Sequence, residues 1–188
     1  MSITSDLALA NALADAAGAA IRPLFRAAFA HEAKADASPV TEADRTAEAA
    51  MRRLLDAEAP RDGIIGEEYG AERPDAVRQW VLDPIDGTAA FIAGMPVYGT
   101  LIALMQAGEP IIGILDHPIT GERWLGMKGR PTFYNGAACR TRSCDRLTDA
   151  IMSASNPDFF DDEERPALDA LRDATAWRIW GGACMSYG

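Results

Sequence analysis

Trp80-Val81-Leu82-Asp83-Pro84-Ile85-Asp86-Gly87-Thr88 passes from apolar residues to acidic ones across a proline. Val81 and Leu82 read as the end of a buried strand. Asp83-Pro84 suits the first two positions of a β-turn, whose ends lie within about 7 Å, and Asp83 and Asp86 are those ends. Two carboxylates so placed repel, and each tends to hold its proton unless a cation lies between them. Gly87 and Thr88 then open a short helix, whose free backbone N–H groups favour an anion. Cations beside an anion cradle imply a metal-assisted phosphate site.

Asp-Pro-x-Asp-Gly is also ordinary surface-turn chemistry. Here, however, the turn is anchored to an apolar strand, and a second acidic pair stands upstream. Gly63-Ile64-Ile65-Gly66-Glu67-Glu68 is another short apolar strand ending in acids. Carboxylates at the ends of two neighbouring strands converge on one point, and turn chemistry explains neither glutamate. Further upstream, the polar run from Lys34 through Ser38-Pro39 leads to Thr41 and Asp44. That pair reads as a helix start, a hydroxyl cap with an acid three residues on.

Together these segments resemble the inositol monophosphatase superfamily of magnesium-dependent, lithium-sensitive phosphomonoesterases. The resemblance rests on Gly66-Glu67-Glu68, on Trp80 through Thr88, and on the Thr41-x-x-Asp44 helix entry. Phe91-Ile-Ala-Gly-Met-Pro96, Val97-Tyr-Gly99-Thr100, Gly113-Ile-Leu-Asp116-His-Pro118, Gly121-Glu122-Arg123-Trp124 and Thr141-Arg142-Ser143-Cys144 resemble its histidinol-phosphate phosphatase branch more than the animal enzymes. The chain departs at Ala89, Ala90 and Met95, where related sequences often carry polar or basic residues.

The resemblance implies an α+β fold, a layered α/β/α/β/α sugar-phosphatase-like arrangement, acting as a Mg²⁺-dependent phosphomonoesterase with two or three ions. Glu67, Asp83 and the backbone carbonyl of Ile85 would hold the first ion, and Asp83 would bridge to a second bound by Asp86. Asp44, Glu68 and Thr88 would be catalytic. The amides of Gly87 and Thr88, with Glu67 and Asp86, would bind substrate. Lys34 either approaches from the loop or is a solvated surface lysine. Histidinol phosphate is the expected substrate, with inositol-1-phosphate or a related sugar or nucleotide phosphate as the alternative. A homodimer is expected. The family also implies more chain after Gly188, carrying a further metal-ligating Asp. On that reading this is a truncated chain, and a catalytically impaired metal-binding scaffold is a second alternative.

Composition sets outer bounds. The 188 residues suffice for one large domain or two small ones. A hydrophobic share of 48% and a charged share of 24% are ordinary for a globular protein. Lys and Arg total 18 against 28 Asp and Glu, a net charge of -10 that disfavours nucleic acid and anionic membranes as partners. Cys139, Cys144 and Cys184 cannot all pair and read as reduced thiols of a cytoplasmic protein. His31 and His117 are too scattered for a His-based metal site. No signal peptide or long apolar span is read.

Along the chain, a helix is expected over 4–30, kinked at Pro23, then a polar loop over 31–40 and a second helix over 41–59. Strands follow at 63–67, 79–83, 97–106, 110–116 and 122–127, with 130–145 irregular around an Asn135-Gly136 turn. This order predicts helices on one face of an antiparallel sheet. A strand at 150–155, a helix at 161–173 and a strand at 176–180 then read as the start of an α/β unit, followed by the opening of a further helix. The domains are accordingly 1–145, which would carry the metal site, and 146–188, an incomplete second one.

Overall fold

The computed structural model describes residues 3–27, 31–33 and 39–188. Its first helix, α1 (Ile3–Ile21), buries Leu9, Leu13, Ala17 and Ile21 as one stripe at four-residue spacing. It stops before the predicted end at 30. Pro23 lacks the N–H that a further turn needs and disfavours helix at the residue before it, so Arg22–Leu24 tighten into a 3₁₀ turn. Within the predicted loop, β1 (His31–Ala33) and β2 (Pro39–Thr41) pair antiparallel. The remainder of that loop, with Lys34, lies outside the described residues.

Helix α2 (Glu42–Glu58) starts as expected on a reciprocal cap: the Thr41 hydroxyl accepts the Asp44 N–H at 3.2 Å while Asp44 Oδ2 accepts the Thr41 N–H at 2.9 Å. Its buried face carries Ala43, Ala47, Met51 and Leu55, and also the acids Asp44 and Glu48.

The strands are β3 (Gly63–Gly66), β4 (Gly70–Glu72), β5 (Arg78–Asp86), β6 (Gly99–Gln106), β7 (Glu109–His117), β8 (Glu122–Met127), β9 (Thr132–Tyr134) and β10 (Ala137–Cys139), with a short helix α3 (Thr88–Ile92) after β5. They form one eight-stranded sheet in the order β10-β9-β8-β7-β6-β5-β3-β4. Every pair is antiparallel except β3 with β5, which run parallel. Ile64, Trp80, Leu82, Ile102, Leu104, Ile112 and Ile114 occupy alternate positions of these strands and are all buried on one face. Helices α1 and α2 cover that face. Each fully buried aliphatic side chain there contributes about 1.5–3 kcal/mol, so this layer holds the fold.

The stretch 130–145 is less irregular than expected, because β9 and β10 form a hairpin. Asn135 (φ 45°) and Gly136 (φ 83°) are both left-handed, as a two-residue turn between twisted strands requires. Past the sheet, β11 (Ile151–Ala154), α4 (Arg165–Ala174) and β12 (Trp177–Trp180) make a strand–helix–strand unit whose strands pair parallel. A 3₁₀ turn over Ala183–Tyr187 follows where a further helix was expected to open. No helix among the described residues is long and apolar enough to cross a membrane.

Candidate active site

Asp83-Pro84-Ile85-Asp86 is not the predicted β-turn but the bulged end of strand β5. Asp83 pairs with Leu101 and Asp86 with Gly99, so three steps on one strand face two on the other. Proline explains the bulge: Pro84 has no N–H for the ladder, and its carbonyl is taken by the Thr100 hydroxyl at 2.8 Å. Ile85 buries its side chain in the core and offers its carbonyl to the Thr88 hydroxyl at 3.2 Å. Gly87 then turns the chain at φ 92°, a left-handed conformation, and its carbonyl accepts the Ala90 and Phe91 N–H groups that begin α3.

Glu67 reaches the same place because β3 lies beside β5. Gly66 is registered with Leu82, and the Glu67 N–H donates to the Leu82 carbonyl at 3.2 Å, which sets Glu67 next to Asp83. Burial pushes the Asp83 carboxyl up to about 8, reinforced by the charge of Glu67, a hydrogen bond between the two carboxyl groups, and the charges of Asp86 and Asp44. A hydrogen bond between two carboxyls requires a proton between them. The Oδ1 atom of Asp83 is buried without a hydrogen-bond partner.

Of the residues singled out in the sequence, Asp44, Glu67, Asp83 and Asp86 are therefore brought together. Glu67, Asp86, Gly87 and Thr88 line one cleft of about 480 Å³ with Ala89, Ala90 and Met95. Glu68 follows Glu67 half-buried, its N–H donating to Glu48 Oε2 at 2.7 Å, and does not join the charges acting on Asp83. Among the described residues, no group of three or more His, Cys, Asp or Glu side chains is arranged to hold a metal ion as it stands. The donors nevertheless fit a hard divalent cation in kind: all are oxygens, four carboxyl groups act on one another there, and Asp83 keeps an unanswered lone pair. A cation replacing the shared proton would remove the repulsion that raises Asp83.

Sequence reasoning missed two parts of this site. Asn156, Phe159 and Ala183 form the far wall of the cleft, and Cys184 packs under Asp86, its thiol pushed up by burial and by the Asp86 charge. Nothing local in the sequence marks them, since the β11–α4–β12 unit brings them there. Glu48 did carry a signal: it lies four residues after Asp44, on the face that buries Met51 and Leu55.

Acidic strand ends meeting beside a glycine-opened turn, on a helix-covered and mostly antiparallel sheet, define a layered α+β protein with a carboxylate-lined cleft. The chain belongs to the inositol monophosphatase family, which residues 3–188 match. It is 46% identical over 182 residues to a bifunctional phosphatase, IMPL2, of Arabidopsis thaliana, covering 96% of this chain and 53% of that one. It is 43% identical over 190 residues to a histidinol-phosphatase of Mycobacterium tuberculosis, covering 97% and 73%. An inositol monophosphatase structure from Zymomonas mobilis superposes with a TM-score of 0.88 at 48% identity, over 100% of this chain and 73% of that one. The chain thus spans about half the length of the Arabidopsis relative.

Proposed function

We propose that the protein is a Mg²⁺-dependent phosphomonoesterase acting on a small phosphorylated metabolite, with histidinol phosphate as the preferred substrate. The observation that carries this reading is the meeting of Glu67 and Asp83 at adjacent strand ends, with Asp86 and Asp44 acting on the same carboxyl. Oxygen donors without His or Cys favour Mg²⁺ over softer ions. Glu67, Asp83, Asp86 and the Ile85 carbonyl would hold two or three ions. Bound there, the cation supplies positive charge that lowers the pKa of water and offsets charge on the phosphoryl group.

The chain's own groups do the rest. The N–H groups of Gly87 and Thr88 hold phosphate oxygens in a fixed direction, so little reorganisation accompanies the growth of charge in the transition state. The Thr88 hydroxyl donates its proton to the Ile85 carbonyl, which leaves its lone pairs to accept from an attacking water. Glu68, with Thr88, would orient or deprotonate that water. Asp44, fixed by its cap with Thr41, would stand behind Thr88 in this arrangement.

The kinship with a histidinol-phosphatase supports the substrate choice, while the Zymomonas structure, an inositol monophosphatase, supports inositol-1-phosphate as the alternative. A second reading is an impaired metal-binding scaffold; two well-occupied Mg²⁺ sites would contradict it. The unpaired Cys139, Cys144 and Cys184 support a reducing, cytoplasmic setting. The apolar cleft of Leu101, Leu115 and Trp124 supports a homodimer.

Phosphate release with Mg²⁺ on histidinol phosphate, inositol-1-phosphate and a nucleotide bisphosphate tests both levels. Asp86→Asn is expected to lose at least about tenfold in Mg²⁺-dependent rate. Full activity in this variant would remove the metal-binding role of Asp86. Equal or faster turnover of either competitor would remove the substrate and leave the chemistry.

A further inference from the structure

We infer that Glu48, backed by Arg52, is a positioning residue that holds the Glu67-Glu68 turn in place for cation binding. The inference rests on the metal-dependent reading above.

Glu48 is fully buried, yet it is an acid on the apolar face of α2. Its Oε2 accepts the Glu68 N–H at 2.7 Å, and its Oε1 accepts the Tyr69 N–H at 3.3 Å. Two successive amides of the turn after β3 are thus bound by one carboxylate. Arg52, one helical turn on, donates Nε to Glu48 Oε1 at 2.8 Å and also donates to the Gly70 carbonyl. Its guanidinium lies over the Tyr69 ring, 5.8 Å from the centroid. The turn is therefore gripped at its N–H groups by an anion and at its carbonyl by a cation, both carried on α2.

Gly66 completes the arrangement. A Cβ at that position would stand 1.9 Å from Glu48 Oε1, so only glycine lets the carboxylate in. Asp44 lies one turn before Glu48 on the same helix face and acts on Asp83. One rigid helix thus reaches both acidic segments, the turn after β3 and the end of β5. Three donors answer this buried carboxylate, and losing it strands the Glu68 and Tyr69 amides. Glu48 is not among the residues lining the cleft; it acts on the site only through the backbone that carries Glu67 and Glu68.

The test compares the wild type with Glu48→Gln and Gly66→Ala, using amide hydrogen exchange and calorimetric Mg²⁺ titration, with melting temperature recorded alongside. The two variants attack the clamp differently. One replaces the carboxylate with an amide that cannot accept at both oxygens; the other leaves the charge but displaces it. Both are expected to remain folded, to speed exchange at Glu68 and Tyr69, and to weaken Mg²⁺ binding by about tenfold or more. Saturating Mg²⁺ should restore phosphate release, with KM for the phosphate ester little changed. Unchanged exchange at these amides in a folded variant would overturn the clamp. Faster exchange with wild-type Mg²⁺ affinity would overturn its link to the cation. A wild type that binds no Mg²⁺ would instead overturn the functional reading, and the exchange data would still judge the clamp.

Discussion

Asp83 concentrates the conflict on which the site is built. Burial and three neighbouring acids raise its carboxyl to about 8 in the folded chain, against the ordinary 3.8 of an unfolded one. The folded protein therefore holds this proton more tightly between those values. The stability contributed by the group is complete below about pH 4 and is lost as pH rises through about 8. Metal-free protein should accordingly melt at lower temperature at pH 8 than at pH 5, and Asp83→Asn should flatten that slope. Thermal scans in a chelator across this range check it; a melting temperature that rises toward pH 8 in the wild type would refute the assignment. The convergence of Asp83, Asp86 and Glu67 was legible in the sequence because acids following apolar strands are a local pattern. The bulge was not, because Asp-Pro serves equally in a turn, and what chose between them was Thr100, sixteen residues away on β6. Glu48 went unread because an acid on a helix is ordinarily solvated.

Helix α2 and strands β5 to β8 were legible because each is long enough to show its period. β4, β9 and β10, of three residues each, were not, since so short a run has no alternation to display. The end of α1 fell where Pro23 dictates, earlier than the apolar stripe alone suggested. The start of α2 has a measurable worth. Thr41→Ala removes the hydroxyl cap and should cost about 1 kcal/mol in denaturant unfolding. It should also loosen Asp44, which leans on the Thr41 N–H and hydroxyl, so phosphate release should fall further than the stability loss alone explains. Leu55→Ala, on the same buried face but two turns beyond Glu48, should instead cost about 2–5 kcal/mol in stability with kcat unchanged in the folded fraction. If the two variants showed the same ratio of activity to stability, Asp44 would have no part in the site.

Taken as a whole, the molecule is two kinds of sheet meeting at one cleft. The helix-covered, eight-stranded sheet supplies the acids and the amides, and the parallel β11–β12 pair with its flanking turns supplies Asn156, Phe159 and Ala183. The strand–helix–strand order of the second unit could be read from the sequence, but its docking against Asp86 could not, because no local pattern reports a contact across nearly a hundred residues. A net charge of -10 also fits this picture: an acidic protein handles a phosphate ester only where cations reverse the field. The most direct measurement is therefore calorimetric titration of Mg²⁺ into the wild type and Asp83→Asn at pH 8. The wild type should bind with release of protons, as the shared carboxyl proton is displaced, and the variant should lose most of that binding. No binding by the wild type, or equal binding by both, would contradict the account.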